Sequence, residues 1–204
     1  MTTVQTARLV LRPWSEEDLD NLLGLYTDAE VMRYISGGHP FSAERVVSML
    51  EHALRQWHDR GFGPWAAIDK ATGAWLGEIG LNEIPDWPDD HNVEVGWELH
   101  RAWWGRGLAP EGGRAALWFG FAHGDLERII SVTNPENAPS RRVMEKIGLT
   151  YQGTRPYRER EAAWYALDRA TWEGWSQTTN AAIFKNRAVR DASERTAPAV
   201  CSEN

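Results

Sequence analysis

The chain has 204 residues and a formal net charge of −7, and 42% of its residues are hydrophobic. This length suits one domain with a hydrophobic core, and the acidic balance argues against nucleic acid as the main partner. Cys201 is the single cysteine, which excludes an internal disulfide or a cysteine-based metal cluster and fits a cytoplasmic setting. No stretch is long and apolar enough to span a membrane. The six histidines lack metal-ligand spacing, so we expect no metal.

The first part of the chain predicts one strand followed by two helices. Residues 8–13 alternate briefly and stop at a proline, which is typical of a short strand. Ser15 is placed to cap one helix and Ser42 to cap a second, which the glycines of 61–64 end.

Three strands are predicted next. Residues 65–68 and 75–84 are strand-like and are joined by a turn at 71–73. Residues 93–99 alternate almost perfectly, which indicates a strand with one apolar face and one polar face. The apolar face holds Val93, Val95, Trp97 and Leu99, and the polar face holds Glu94, Gly96 and Glu98.

The segment 101–111 is a glycine-punctuated turn that runs into a helix. Gly105 and Gly107 allow a tight turn and a close approach to a ligand, and Pro110 suits the start of a helix. The N–H groups of such a loop and helix start point one way and attract an anion. The stretch therefore predicts a phosphate or pyrophosphate held mostly by backbone, with an ordinary surface turn as the alternative.

The last part of the domain predicts a strand, a helix and two closing strands. The strand covers 128–133, and the helix is capped by Asn137 and ended by Gly148. The closing strands lie near 150–155 and 163–167.

These elements predict a single domain over residues 1–176, of the α/β (mixed α+β) class. Residues 177–204 form a polar C-terminal tail that we expect to be disordered. The glycine loop follows the fourth predicted strand, whereas a Rossmann fold places it after the first. A phosphate-binding loop of the nucleotide-triphosphatase type needs Gly-Lys-Ser/Thr, which is absent here.

Four segments resemble the GNAT superfamily of acetyl-CoA-dependent N-acetyltransferases, and most of all its branch of ribosomal-protein-alanine N-acetyltransferases (RimJ/RimL type). They are the opening strand at 6–13, the loop 104–109, the run 137–149 and the final strand with the residues after it at 164–172. The loop is similar to the Q/R-x-x-G-x-G/A acetyl-CoA signature, and the run is similar to N-x-x-S…E-K-x-G-F. Their order along the chain makes the resemblance specific.

The resemblance implies a GNAT fold, in which a central, mostly antiparallel twisted sheet is flanked by helices and splayed between its strands 4 and 5. It implies that acetyl-CoA, as co-substrate, lies in this cleft with its pyrophosphate on the loop. Asn137 either holds the pantetheine arm through its amide or simply caps the helix. The implied cofactor-binding residues are Trp104, Gly105, Arg106, Gly107, Leu108, Ala109 and Asn137, with Arg101, Arg141 and Arg142 as further candidates near the phosphates.

The expected chemistry is direct attack of a primary amine on the acetyl thioester in a ternary complex. The amine must first lose a proton, for which Glu94 is the candidate base and Glu98 and Glu159 are alternatives. Ser140, near the positive end of a helix, is the candidate proton donor to the leaving thiolate. Met144 stands where many GNAT enzymes carry a tyrosine acid.

Other hypotheses stay open at this point. Met144 favours a non-catalytic acyl-CoA-binding or regulatory module on the same fold, and the glycine turn alone would also suit a nucleotide-binding protein. The acceptor is either a protein N-terminal α-amine or a small-molecule amine. Residues 83–91, which are acidic and aromatic, either line the acceptor mouth or form a solvated loop. A homodimer is left open, because no apolar stripe demonstrates an interface.

Overall fold

The structure, a computed structural model, describes residues 2–158 and 160–177. Glu159 and the tail from residue 178, including Cys201, lie outside the described residues. The strands within the described part are β1 (Val4–Gln5), β2 (Leu9–Pro13), β3 (Pro64–Asp69), β4 (Trp75–Glu83), β5 (Val93–Leu99), β6 (Arg128–Thr133), β7 (Thr150–Tyr157) and β8 (Arg160–Asp168). They form one sheet in the order β1-β2-β3-β4-β5-β6-β8-β7, and all neighbouring pairs except β5 and β6 are antiparallel.

Six α-helices occur in the described chain, of which the first five lie between strands and the sixth follows β8. They are α1 (Leu19–Thr27), α2 (Ala29–Met32), α3 (Ala43–Arg60), α4 (Leu108–Ala122), α5 (Ala138–Ile147) and α6 (Arg169–Gln177). The predicted caps are confirmed for α3, where the Ser42 side chain accepts the N–H of Arg45 and Gly61 ends the helix in the left-handed region. They are also confirmed for α5, which lies between Asn137 and Gly148.

Some elements differ from the sequence-based expectation. The short β1 and α2 were not predicted, and α6 forms where only a tail segment was expected. α6 is anchored by Trp172, whose ring stacks on Phe121 with centroids 5.3 Å apart. α4 begins at Leu108, two residues before Pro110, because Gly107 supplies the left-handed cap from which the helix starts.

The sheet is covered by helices on both faces. Successive strand residues point to opposite faces, and in β3 the side chain of Ala67 belongs to the main core while that of Ala66 belongs to a second cluster. The main core packs Leu117 and Phe121 of α4, together with Ile147 of α5, against the sheet. The second cluster holds Leu22, Leu25, Val46 and Leu50 from α1 and α3.

The sheet opens between β5 and β6. β4 and β5 are paired along seven residues each, from Gly77 opposite Leu99 to Glu83 opposite Val93. β5 and β6 run parallel and are in register at one described pair, Glu94 with Ile130. The two strands therefore diverge beyond Glu94, which confirms the predicted cleft between the strands that count as fourth and fifth when β1 is left out.

No described helix combines the length and the apolar character needed to cross a membrane.

Glycine lets α4 lie close to the sheet, and this contact generates a stability prediction. A Cβ on Gly112 would overlap the Cδ1 atom of buried Ile79, whereas a Cβ on exposed Gly24 in α1 would meet nothing within 4 Å. Gly112→Ala is expected to lower the free energy of unfolding by about 1 kcal/mol through overpacking. Gly24→Ala is expected to raise it by about 0.5–1 kcal/mol, since alanine is the better helix former. Urea denaturation of both variants checks that their free energies of unfolding change in opposite directions. An equal change in both variants would contradict the packing of Gly112 against Ile79.

Candidate active site

The loop before α4 has the backbone geometry of an anion site. Gly105 and Gly107 have φ of 72° and 74°, a region that suits glycine, and Gly107 is the N-cap of α4. The N–H groups of the first turn of a helix have no partner inside the helix, and the positive end of the helix dipole lies there. The backbone of 105–109 therefore has a geometry that suits a pyrophosphate.

The loop is tied to the start of the chain by Arg8. The Arg8 guanidinium donates to the carbonyl oxygen of Arg106 at 2.8 Å and to Glu111 Oε2 at 2.7 Å. The backbone N–H of Arg8 and the Thr6 hydroxyl both donate to Glu111 Oε1, at 2.7 and 2.6 Å. Glu111 thus couples the first turn of α4 to the strand pair β1–β2. Sequence analysis assigned Arg8 to the opening strand but gave it no role at the loop.

The side chains of Trp104 and Arg106 flank the loop. Trp104 Nε1 donates to the carbonyl oxygen of Leu99 at 2.6 Å, which places its ring, 48% exposed, over the end of β5. The Arg106 guanidinium lies over the ring of Trp103, 4.8 Å from its centroid.

Two of the other arginines considered for the phosphates have partners in the protein. Arg101 forms an ion pair with Asp28 at 2.9 Å. Arg141 donates to the hydroxyl of Tyr165 and to the carbonyl oxygen of Pro135. Arg142 is exposed.

Asn137 acts as the cap of α5. Its Oδ1 accepts the N–H of Ser140 at 3.2 Å, and its Nδ2 donates to Thr133 Oγ1 at 3.1 Å. The amide is thereby engaged at both ends, which supports the capping alternative. Ser140 is half-buried in the first turn of α5, and Met144 is buried in the main core.

Glu94 lies at the point where β5 and β6 part. Its Oε1 accepts the N–H of Val132 at 2.8 Å. The pKa of Glu94 is raised to about 8, mainly by burial and also by the negative charge of Glu98, while the Val132 hydrogen bond and the Arg158 charge oppose the rise. Asn137 is hydrogen-bonded to Thr133, which follows Val132 in β6. Glu94 and the start of α5 are therefore held at neighbouring residues of β6. Such a carboxyl is mostly protonated at neutral pH, and its ionised fraction, which grows as the pH rises through 8, can accept a proton.

A pair of carboxyls, Glu78 and Glu98, lies on the same face of the sheet as Glu94. Glu78 of β4 is directly opposite Glu98 of β5, and the Tyr26 hydroxyl of α1 donates to Glu78 Oε1 at 2.7 Å. Glu78 is 5% exposed, and its carboxyl is hydrogen-bonded to that of Glu98. Burial raises the pKa of Glu78, and burial together with the charge of Glu78 raises the pKa of Glu98 well above its usual range.

The segment 83–91 packs against the sheet through Trp87, which is 5% exposed and lies with Ile130 of β6 and Ala166 of β8. The Trp87 ring contacts those of Tyr157 and Trp164, with centroids 5.3 and 5.5 Å away. Neither Trp87 Nε1 nor the Tyr157 hydroxyl has a hydrogen-bond partner among the described residues. Trp87 thus anchors the segment, while residues 85, 86 and 88–91 are exposed.

Sequence reasoning missed several members of this face. Tyr26 and Tyr157 carry no sequence signal of their own, because their positions depend on packing between distant elements. Glu78 did carry one, since it is a lone carboxylate inside the apolar run of β4. Of the three candidate bases, the structure places Glu94 and Glu98 on one face, and Glu159 lies outside the described residues.

Comparisons with known proteins agree with this geometry. Residues 8–150 match the acetyltransferase (GNAT) domain family, and the chain belongs to that family. It is 33% identical over 163 residues to the uncharacterized protein YkkB of Bacillus subtilis, which covers 75% of this chain and 88% of the relative.

Solved structures show the same fold. An acetyltransferase from Agrobacterium tumefaciens superimposes with a TM-score of 0.73 at 29% identity, covering 82% of this chain and 94% of the other. RimL, a ribosomal L7/L12 alpha-N-protein acetyltransferase solved with coenzyme A, superimposes with a TM-score of 0.67 at 17% identity, covering 81% of this chain and 97% of the other. The predicted family and fold are confirmed, and the protein is an acetyl-CoA-dependent N-acetyltransferase.

The raised pKa of Glu94 predicts how stability depends on pH. The usual pKa of a glutamate, 4.5, applies to the unfolded chain, and the folded value is about 8, so the native state binds the extra proton between these values. The contribution of Glu94 to stability is present below pH 4.5 and is lost as pH rises through 8. Glu94→Gln should therefore gain about 3–4 kcal/mol in its free energy of unfolding relative to wild type between pH 5 and 8.

Urea denaturation of both proteins across this pH range measures the difference between their free energies of unfolding. Glu51→Gln, at an exposed position of α3, is the control, and its difference from wild type should not grow with pH. A difference between wild type and Glu94→Gln that stays constant with pH would contradict the assignment.

Proposed function

We propose that the protein transfers the acetyl group of acetyl-CoA to a primary amine, either a protein N-terminal α-amine or a small-molecule amine, by direct attack in a ternary complex. The observation that carries this proposal is the position of Glu94, a half-buried carboxyl held by the N–H of Val132 where β5 and β6 separate. A proton acceptor at the opening of the cleft is what attack by an amine requires.

Acetyl-CoA fits the described residues in two respects. The left-handed glycines of 105–107 and the first N–H groups of α4 form a cradle for the pyrophosphate. The gap between β5 and β6 leaves strand backbone beyond Glu94 without a neighbouring strand, and such N–H groups can stabilise the oxyanion that forms on the thioester carbonyl. RimL, which shares this fold, was solved with coenzyme A.

In this proposal the ionised form of Glu94 takes the proton of the incoming ammonium group. The amine nitrogen then forms a bond to the thioester carbon, and the tetrahedral oxyanion collapses as the carbon–sulfur bond breaks. The nitrogen loses its second proton in this step, which balances the proton that the departing thiolate receives. A base with a pKa near the working pH is the most efficient for such a transfer, and burial gives Glu94 a pKa of about 8.

Ser140 is the proposed donor to the departing thiolate. It lies in the first turn of α5, where the helix dipole stabilises negative charge. Met144, at the position of the usual tyrosine acid, is buried in the core and cannot donate. Ser140 and the dipole of α5 would together replace that acid.

A product assay tests the proposal. The protein is mixed with acetyl-CoA and an acceptor panel of peptides with N-terminal Ala, Ser and Met, polyamines, amino acids and aminoglycosides, and the products are read by mass spectrometry. We expect a gain of one acetyl group on one acceptor class. Glu94→Gln should lower kcat for that acceptor by about 100-fold or more, whereas Glu51→Gln should leave it unchanged.

Two results would contradict the proposal. Acetyl-CoA binding without product from any amine would favour a non-catalytic acyl-CoA-binding module. Equal rates for Glu94→Gln and wild type would remove Glu94 as the base.

A further inference from the structure

The peptide group between Arg106 and Gly107 is held on its carbonyl side by Arg8, which lies just before β2. Arg8 Nη1 donates to the carbonyl oxygen of Arg106 at 2.8 Å. This peptide group is trans, so its C=O and N–H bonds point in opposite directions. The hydrogen bond from Arg8 therefore fixes the direction of the Gly107 N–H, which is one of the donors proposed for the pyrophosphate.

The next peptide group is held in the same way from inside α4. The backbone N–H of Glu111 donates to the carbonyl oxygen of Gly107 at 3.3 Å, which directs the N–H of Leu108 to the opposite side. Two successive N–H groups at the start of α4 are thus oriented by donors that hold the two carbonyl oxygens. One of these donors is a side chain, that of Arg8, so a substitution can remove it.

The Arg8 side chain is itself fixed by Glu111. Its Nε donates to Glu111 Oε2, and the backbone N–H of Arg8 donates to Glu111 Oε1, both at 2.7 Å. Burial alone would raise the pKa of Glu111, but the hydrogen bonds from Thr6 and Arg8 outweigh it and lower that pKa. Glu111 is therefore a carboxylate at neutral pH, in the helix turn proposed to receive a phosphate. Arg8 offsets this negative charge, which would otherwise repel the ligand.

The guanidinium of Arg8 lies directly against the loop. A Cβ built on Gly107, whose φ is 74°, would lie 3.6 Å from Arg8 Nη2. The side chain of Arg8 is 48% exposed, so the hydrophobic core does not depend on its burial. A change at Arg8 should therefore act on the loop more than on the fold.

We propose that Arg8 is a positioning residue for acetyl-CoA, which orients the Gly107 N–H toward the pyrophosphate and neutralises Glu111 beside it. The inference rests on the proposed place of the pyrophosphate at residues 105–109. Arg8 acts through the loop, so it affects binding of the phosphate-bearing part of the cofactor. Use of the thioester part does not depend on it.

A purely structural tie between the opening strand and α4 is the competing explanation. In that case loss of Arg8 lowers the free energy of unfolding but leaves the affinity of the folded protein for coenzyme A unchanged. Arg12 offers a matched control, because it lies in β2 and forms a comparable ion pair, at 2.7 Å, with Asp18 rather than with the loop.

Calorimetric titration of coenzyme A tests the inference without turnover, in wild type, Arg8→Lys, Arg8→Met and the control Arg12→Lys. Arg8→Lys keeps the positive charge, but one ammonium group cannot reproduce the guanidinium fork that joins the Arg106 carbonyl to Glu111. We expect the Kd of coenzyme A to rise about tenfold in both Arg8 variants, the effect of one charge-assisted hydrogen bond. Arg12→Lys should bind coenzyme A as wild type does. Circular dichroism of each variant checks that the titrated protein is folded.

A comparison of two acetyl donors separates the loop from the rest of the cleft. S-acetylpantetheine carries the thioester but lacks the pyrophosphate and the nucleotide. With the acceptor found in the product assay, Arg8→Lys should lower kcat/KM for acetyl-CoA about tenfold and leave kcat/KM for S-acetylpantetheine unchanged. The KM of the amine, and kcat at saturating acetyl-CoA, should stay at their wild-type values.

The outcomes separate this inference from the proposed function. Wild-type affinity for coenzyme A in Arg8→Lys would overturn the inference, because a positive charge alone would then suffice, and would leave the proposed acetyl transfer intact. An equal rise of Kd in Arg12→Lys, or an equal fall in kcat/KM for the two donors, would overturn it too. The expected rise of Kd in a protein that acetylates no amine would support the role of Arg8 and contradict the proposed function. Equal use of the two donors by wild type would contradict the loop as the pyrophosphate site, and the inference with it.

Discussion

The single in-register pair between β5 and β6 is the constraint on which the rest of the site depends. At Glu94 and Ile130 the two parallel strands are still joined, and the Ser131 hydroxyl adds a bond to the carbonyl oxygen of Val95 at 2.8 Å. Beyond this point the strands diverge, which leaves backbone groups free for a ligand. Because Glu94 stands at the branch, its carboxyl and the opened backbone are presented together. α4 follows β5 and α5 follows β6, and the two helices pack against each other, with Arg114 of α4 donating to the carbonyl oxygen of Lys146 in α5.

This arrangement has an energetic cost that the remainder of the fold offsets. Three carboxyls on the polar face, those of Glu78, Glu94 and Glu98, have raised pKa values because they are buried, and burial of ionisable groups disfavours folding at neutral pH. The Val132 N–H and the Tyr26 hydroxyl satisfy part of their hydrogen-bonding capacity. The continuous core between the sheet and α4 and α5 provides the opposing hydrophobic stabilisation. A site that violates the rules of burial inside an otherwise consistent fold is typical of a functional region.

Much of the fold could be predicted from the chain because its local signals agree with the tertiary structure. β5 has the predicted bounds, since strict alternation matches a strand with one buried face. α5 does as well, since Asn137 and Gly148 mark both of its ends. The brief elements β1 and α2 were missed because two to four residues carry no periodic pattern.

The candidate site was predictable in part. The glycine loop and Glu94 could be named as candidates because their residue types suit the chemistry of phosphate binding and proton transfer. The contact of Tyr26 with Glu78, and that of Trp87 with Tyr157, could not be found, because both join residues more than fifty positions apart. The link from Arg8 to the loop was missed for the same reason, since it depends on where β2 lies relative to α4.

The most direct test of the account is a titration of the Glu94 carboxyl itself. Carbon-13 NMR of glutamate-labelled protein, with Glu94→Gln used to assign the resonance, follows its ionisation while the protein stays folded. The account predicts a titration near pH 8, the value to which burial raises this pKa. A titration near pH 4.5, the ordinary value for a glutamate, would show a solvated carboxylate and would contradict the account of Glu94 as a carboxyl that burial at the opening of the sheet tunes to a pKa near the working pH.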